Sequence, residues 1–325
     1  MDDYALVINA RSCGLRFCMY RRPDIGAWQL DARGGVEAMG DGRVALEAVA
    51  EWVHSAYEGE RVLGVGHRVA HVGARFTAPV LVTPFVLDEL RMLERLAAFH
   101  HTHSLAALDA MAVLFPGVPQ VACFDTSFHM RRHTITGPTP LSREHREAGL
   151  RRFGFHGLSY EHIASVLPQV APDIADRRLI VAHLDDDSSL CAMTNRRSVD
   201  TLGMSGITDQ MLQLLELGDP EAHRAADNFV YSVARGIAVL AAESDGIDAL
   251  VFTGGIGENS AEIRSRICDR SAWLGIDVDE HANLAGGPRI SQDCGQVSAW
   301  VIPTNEELVV ARHTAMLLGL VETHA

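Results

Sequence analysis

The feature that most constrains this chain is the stretch Asp248 to Asn259, D-A-L-V-F-T-G-G-I-G-E-N. Leu250 to Phe252 reads as a short buried strand, Gly254, Gly255 and Gly257 follow at once, and a helical pattern starts at Ser260. A strand that empties through a glycine turn into a helix presents free backbone N–H groups and the positive end of the helix dipole, which suit a phosphate or a nucleotide. Taken alone, the stretch is also compatible with a plain strand-to-helix turn.

The rest of the chain supplies strands and helices in alternation. Tyr4 to Ile8 and Leu15 to Tyr20 read as the arms of a hairpin around Ala10-Arg11-Ser12-Cys13-Gly14, and Arg21 to Asp41 as loop with an edge strand. Apolar residues at helical spacing predict a helix from Val44 to Tyr57, and Arg61 to Val72 is a strand. Helices are expected over Phe85 to Phe99 and Leu105 to Phe115, then a buried strand over Gln120 to Phe124. Pro138, Pro140 and the charged run Ser142 to Arg152 read as a connection between domains. Beyond it come a helix over His162 to Val170, a strand over Leu179 to Ala182, a long helix over Phe229 to Ala242, and a last strand and helix over Trp300 to Pro303 and Glu306 to Val321.

Leu179-Ile-Val-Ala-His183, a polar turn and Leu190-Cys-Ala-Met echo the layout of Tyr4 to Tyr20. One unit therefore opens each half, which predicts a duplicated α/β fold with two lobes around a cleft.

Composition narrows the function. A net charge of −14 argues against nucleic acid and anionic membranes as partners, so an anionic substrate needs a local cluster of arginines. The chain has no lysine, and all 28 basic residues are Arg, a planar fork rather than a compact ammonium. The six cysteines are scattered without a C-x-x-C pair, the N-terminus lacks the regions of a signal peptide, and no apolar run approaches a membrane span. These features predict a soluble cytoplasmic protein with reduced thiols.

Polar residues fall at strand ends, where an α/β sheet presents its ligand-facing groups: Asn9, Arg68, Asp125, His183 and the glycines after Phe252. Individually, Arg68 could be an exposed strand residue, Asp125 a cap, and His156 in F-G-F-H-G a buried structural histidine. Together, V-I-N-A at 7 to 10, G-H-R-V-A-H at 66 to 71, F-D-T-S-F-H at 124 to 129, R-R-F-G-F-H-G at 151 to 157, the glycine stretch through Ser260, and V-I-P-T-N-E-E-L-V-V-A-R at 301 to 312 resemble the acetate kinase family, in its order and across nearly the whole chain.

The resemblance implies the duplicated ribonuclease H-like fold shared by sugar kinases, Hsp70 and actin, usually as a homodimer. It places one lobe over 1–145, completed by the helix at 306–325, and a nucleotide-side lobe over 146–305. The implied reaction is ATP + acetate to ADP + acetyl phosphate with Mg²⁺. By the same resemblance Asn9 and Glu306 match magnesium-associated positions, Arg68 meets the acetate carboxylate, Asp125 is the active-site aspartate, and His156 steadies the transferring phosphoryl group. Arg16, His183, Asp185, Asp186, Asp187 and Gly254, Gly255, Ile256, Gly257 and Glu258 fall on the nucleotide side.

Departures from the family pattern concentrate on phosphate. The family's N-A-G-S-S-S-L-K is N-A-R-S-C-G-L-R here, with Arg16 in place of a lysine, and its H-L-G-N-G-A-S is His183-Leu-Asp-Asp-Asp-Ser-Ser189. Replacing two glycines removes backbone freedom, and one aspartate about 5 Å from a phosphate charge opposes it by roughly 3 kcal/mol at an effective dielectric near 20. After Asp200-Thr201 the chain jumps to Leu202-Gly-Met-Ser-Gly206, omitting the segment that carries the family's second transition-state arginine. Arginines in that role are worth about 10³ to 10⁵ in rate. Two alternatives follow: a silent homologue that acts by binding or subunit pairing, and a kinase for another short acid or phosphoryl donor. His100, His101 and His103 as a metal cluster lack an apparent complementary ligand set, and Asp185 to Asp187 as a Mg²⁺ or Ca²⁺ site is a weaker reading than a solvated acidic turn.

Overall fold

The computed structural model describes residues 2–11, 14–22, 28–37, 42–71, 76–94, 98–130 and 154–320. It forms two compact units, Met1–Ser127 with Asn305–Ala325, and Phe128–Thr304. The connection expected at Ser142 to Arg152, and with it the boundary near 145, falls outside the described residues.

In the first unit β1 (Asp3–Arg11), β2 (Gly14–Arg21) and β3 (Gln29–Glu37) make an antiparallel meander. Helix α1 (Gly42–Ala56) returns the chain to β4 (Arg61–Val69), which pairs parallel with β1. After β5 (Val80–Leu81), α2 (Pro84–Glu94) and α3 (Ala98–Leu114), strand β6 (Gln120–Phe124) pairs parallel with β4, giving the order β3-β2-β1-β4-β6-β5.

The second unit begins with α4 (Gly157–Val170) and repeats the meander in β7 (Leu179–His183), β8 (Asp187–Thr194) and β9 (Arg197–Ser205). Helices α5 (Asp209–Glu216) and α6 (Pro220–Glu243) precede β10 (Ala249–Thr253), α7 (Gly254–Asn259), α8 (Ala261–Arg270), α9 (Glu280–Leu284) and β11 (Ser298–Val301). Its order, β9-β8-β7-β10-β11, matches the first five strands of the other sheet position for position. Helix α10 (Glu306–Leu317) belongs to the first unit. The echo of Tyr4 to Tyr20 is thus a duplicated topology.

Burial on both faces explains why the central strands read as unbroken apolar runs. Ile180, Ala182, Leu250 and Phe252 enter a core with Val233, Ile237 and Ile263 of α6 and α8, while Leu179, Val181, Ala249 and Val251 enter another with Tyr160, Ile163 and Leu167 of α4. Asp219 starts α6 by accepting the N–H groups of Glu221 and Ala222, both at 2.9 Å, ahead of Pro220 in the first turn.

Two sequence expectations need correction. The helix predicted over Leu105 to Phe115 already begins at Ala98, so the histidine run lies inside α3; no glycine or proline interrupts 98–114, and 95–97 lie outside the described residues. Strand β9 was not anticipated, because its buried positions include polar Ser198, Asp200 and Thr201, and hydrophobic alternation carries no signal there. Among the described residues no helix is long and apolar enough to cross a membrane.

Gly64 and Gly66 of β4 lie under α10, and a Cβ at Gly66 would overlap Val310 and Thr314. Gly66→Ala is expected to destabilise the first unit by about 1–3 kcal/mol, seen as a lower urea midpoint; an unchanged midpoint would mean that α10 is not seated on β4.

His67, on the same strand, is wholly buried, and among the described residues neither ring nitrogen meets a hydrogen-bond partner. Burial lowers its pKa to about 4, offset only in part by nearby Gln120. The folded value lies below the unfolded one, so the unfolded chain takes up a proton first as the pH falls. His67 therefore contributes no penalty above about pH 6.5 and costs stability progressively down to about pH 4. Urea titrations of wild type and His67→Leu should diverge across that window by on the order of 3 kcal/mol; parallel curves would refute the assignment.

Candidate active site

In the first unit three parallel strands bring polar groups to their C-terminal ends, with Asn9 near the end of β1, Arg68 near that of β4 and Asp125 just past β6. Arg68 pairs with Asp125 through Nη2 and Oδ2. Asp125 is fully buried, and its N–H donates to the carbonyl of Val69 at 3.1 Å, so the ladder between the strands fixes its position. Arg68 Nε, also buried, meets no partner among the described residues, and neither does the hydroxyl of neighbouring Thr126. Buried donors left unpaired are rare and costly. An oxygen-bearing ligand at this strand end would satisfy the open edge of the Arg68 fork.

Asn9 is 1% exposed and its amide donates to Glu307 Oε1 at 3.0 Å, which fixes the amide's orientation; Glu306, the first residue of α10, is buried. Among the described residues no group of three or more His, Cys, Asp and Glu is placed to hold a metal. One amide and one carboxylate nevertheless fit magnesium that arrives with phosphates and keeps its waters. Arg16 stands opposite Asn9 in the β1–β2 register and is exposed.

In the second unit His156 precedes α4 with φ 57°, a left-handed conformation that costs a non-glycine residue of order 1 kcal/mol and that clusters at functional sites. Its Nδ1 lies 2.8 Å from Ser189 Oγ, and its ring stacks on His183 with centroids 4.2 Å apart and planes at 16°. Tyr160 Oη is 2.6 Å from the same Ser189 hydroxyl. From His183 a further path runs through Ser159 Oγ (2.9 Å) to Thr304 Oγ1 (2.8 Å), whose residue donates its N–H to Glu258 Oε1 at 2.9 Å. His129, the last residue of F-D-T-S-F-H, holds the Phe155 carbonyl from Nε2 (3.1 Å) and Ser198 from Nδ1 (2.8 Å).

The glycine turn differs from its expected reading as a set of free amides. Helix α7 already starts at Gly254, six residues before the predicted Ser260, and the N–H groups of Ile256 and Gly257 donate to the carbonyl of Leu184 at 3.0 and 3.3 Å. Gly254 donates to Glu258 Oε1 at 3.0 Å. Gly254 is required for packing: its φ is +80°, and a Cβ there would come within 2.7 Å of the Leu184 carbonyl oxygen. Buried Arg264 closes the other end, donating to the carbonyls of Gly257 (3.0 Å), Glu258 (2.9 Å) and Asn283 (2.7 Å).

The β7–β8 turn satisfies its own amides. Asp185 N–H donates to Ser188 Oγ at 3.0 Å, Asp186 N–H donates to Asp185 Oδ1 at 3.0 Å, and the Asp186 carbonyl accepts from Gly206 at 3.1 Å. The Asp185 carboxylate stands beside Gly255, its oxygens 3.5 and 3.6 Å from a Cβ built there. Burial raises the pKa of Glu258, the backbone N–H groups of Thr304 and Gly254 and the Thr253 hydroxyl pull it down, and the charge of Asp185 adds to the rise. The structure thus gathers Arg68 with Asp125, Asn9 with Glu307, and His156 with His183, and it sets Asp185 beside the glycine turn. Tyr160, Ser159, Ser189, Thr304 and Arg264 were missed in the sequence, although Ser159 and Tyr160 sit three and four residues after His156.

A family model described as the acetokinase family matches residues 31–208 and 201–312. An acetate kinase of Rhodopseudomonas palustris (strain ATCC BAA-98 / CGA009) is 39% identical over 389 positions, covering 96% of this chain and 98% of the relative. One from Rhizobium meliloti is 34% identical, covering 98% and 99%. Among solved structures, a propionate kinase from Francisella tularensis subsp. tularensis SCHU S4 superposes with a TM-score of 0.84 at 25% identity, covering 97% of this chain and all of that one. An acetate kinase of Porphyromonas gingivalis, with a TM-score of 0.81 at 24% identity over 97% of this chain and all of that one, shares the fold. The two matched segments meet at 201–208, and an alignment of 389 positions against 325 residues leaves positions of the relative without a counterpart. The break after Thr201 lies at that junction.

Proposed function

The chain belongs to the acetokinase family, and on that premise we propose that it transfers the γ-phosphoryl group of ATP to acetate or a similar short carboxylate, slowly because nucleotide is poorly held. The observation that carries the reading is the half-buried Arg68 fork, paired with Asp125 on one side and with its buried Nε lacking a partner among the described residues. A planar guanidinium edge matches a carboxylate. The acid is ionised at neutral pH, so an acetate oxygen bonds to the γ-phosphorus as the bond to the β–γ bridging oxygen breaks, and no proton moves. Catalysis then rests on alignment and on neutralising charge.

In this reading Arg68 orients the acid and Asp125 holds Arg68. His156 faces the transferring group, and Arg16, His183 and Gly254 to Glu258 lie on the nucleotide side. Asn9 and Glu306 would hold magnesium, which neutralises charge on the β- and γ-phosphate oxygens when bound. The assembly that the family resemblance implies is a homodimer. Against rapid turnover stand the self-satisfied Asp185 turn and the shortened segment after Thr201.

Trapping acetyl phosphate as its hydroxamate in the presence of Mg²⁺, ATP and acetate should give slow but measurable product. Arg68→Lys, which keeps the charge and loses the fork, should raise the acetate KM about tenfold. Product equal to a protein-free control would refute turnover. Calorimetric titration should show weak ATP binding that Asp185→Asn tightens about tenfold or more, with a smaller gain for AMP; equal gains would remove electrostatic opposition as the cause.

A further inference from the structure

His156, Ser189 and Tyr160 form a short line of hydrogen bonds in the core of the second unit. Ser189 is 1% exposed, and its Oγ lies 2.8 Å from His156 Nδ1 and 2.6 Å from Tyr160 Oη. A serine hydroxyl has a single hydrogen and two lone pairs, so its two contacts allow three arrangements. In the first, Tyr160 donates to Ser189 and Ser189 donates to His156 Nδ1, which must then be bare. In the second, His156 Nδ1–H donates to Ser189 and Ser189 donates to the phenol oxygen, leaving the phenol hydrogen to find another acceptor. In the third, Ser189 accepts from both and its own hydrogen is left over.

Three observations favour the first arrangement. A phenol is the more acidic hydroxyl and the better donor of the pair. Tyr160 is fully buried, and the Ser189 oxygen is the acceptor beside its hydroxyl, so the second arrangement would strand a buried O–H. Ser189 is 1% exposed and its hydroxyl meets no third partner among the described residues, so accepting from both neighbours would strand its own hydrogen.

We propose that Tyr160 and Ser189 are positioning residues that fix the tautomer of His156, keeping Nδ1 bare and the ring proton on Nε2. The phenol and serine donate along the line toward the imidazole, and the stack on His183 at 4.2 Å holds the ring plane while they do so. Neutral His156 then acts as a hydrogen-bond donor from Nε2, the nitrogen remote from Ser189. That this donor meets the transferring phosphoryl group rests on the phosphotransfer reading above; the tautomer does not.

The test is long-range proton–nitrogen correlation NMR on the full chain labelled with nitrogen-15 in histidine, at roughly pH 8, where an ordinary imidazole is neutral. The His156 signals are identified by their loss in His156→Gln. The expected result is a bare Nδ1 and a protonated Nε2 in the wild type, a severalfold shift of the ratio toward Nδ1–H in Tyr160→Phe, and recovery of the wild-type pattern when Ser189→Ala is replaced by Ser189→Thr. A wild-type ring protonated on Nδ1, or a ratio that Tyr160→Phe leaves unchanged, overturns the proposal. The wild-type spectrum decides the first point even if a variant fails to fold. A protein that makes no acetyl phosphate yet shows the Nε2–H tautomer would sink the phosphotransfer reading alone, and an active enzyme with Nδ1–H would sink this one alone.

Discussion

Much of the second unit depends on one backbone contact, the Leu184 carbonyl that accepts the N–H groups of Ile256 and Gly257. It joins the end of β7 to the start of α7, and the approach is so close that only glycine fits at 254. The Leu184 N–H completes the seam by donating to Thr253 at 2.9 Å. Glu258 and Arg264 then close the two ends of the short helix. Each satisfies backbone groups that a six-residue helix cannot pair internally. The amides of Gly254, Ile256 and Gly257 are thereby engaged within the protein, and through Glu258, Thr304 and Ser159 the turn is tied to His183.

What the sequence disclosed, and what it did not, follows from which interactions leave a pattern in side chains. Leu179 to Val181 and Leu250 to Phe252 announced themselves as strands because both faces of a central strand are apolar. The positions of Asn9, Arg68 and Asp125 were legible because each follows an apolar run, and parallel strands end together. Strand β9 was illegible because Ser198 and Asp200 are buried among polar neighbours, including His129. The engagement of the Ile256 and Gly257 amides was equally hidden, since their partner, the Leu184 carbonyl, is distant in the chain and no side chain advertises it. Ser189 and Tyr160 look unremarkable in the chain and matter only because β8 and α4 converge on one imidazole.

The two sheets share a strand order but have diverged in what occupies their strand ends. The first unit places an arginine and a carboxylate in contact there. The second places two stacked histidines and a hydroxyl line. The same topology thus presents a cationic fork in one unit and a stacked imidazole pair tied to hydroxyls in the other.

Gly206 joins two features that seem separate along the chain. It follows β9 at the point where the family match is interrupted, and its N–H donates to the carbonyl of Asp186 in the acidic turn. A Cβ at 206 would overlap the Asp185 and Asp186 carbonyls, so the shortened connection lies directly against that turn. The two departures from the family are therefore in direct contact, and a change in either one alters the surface against which the other rests.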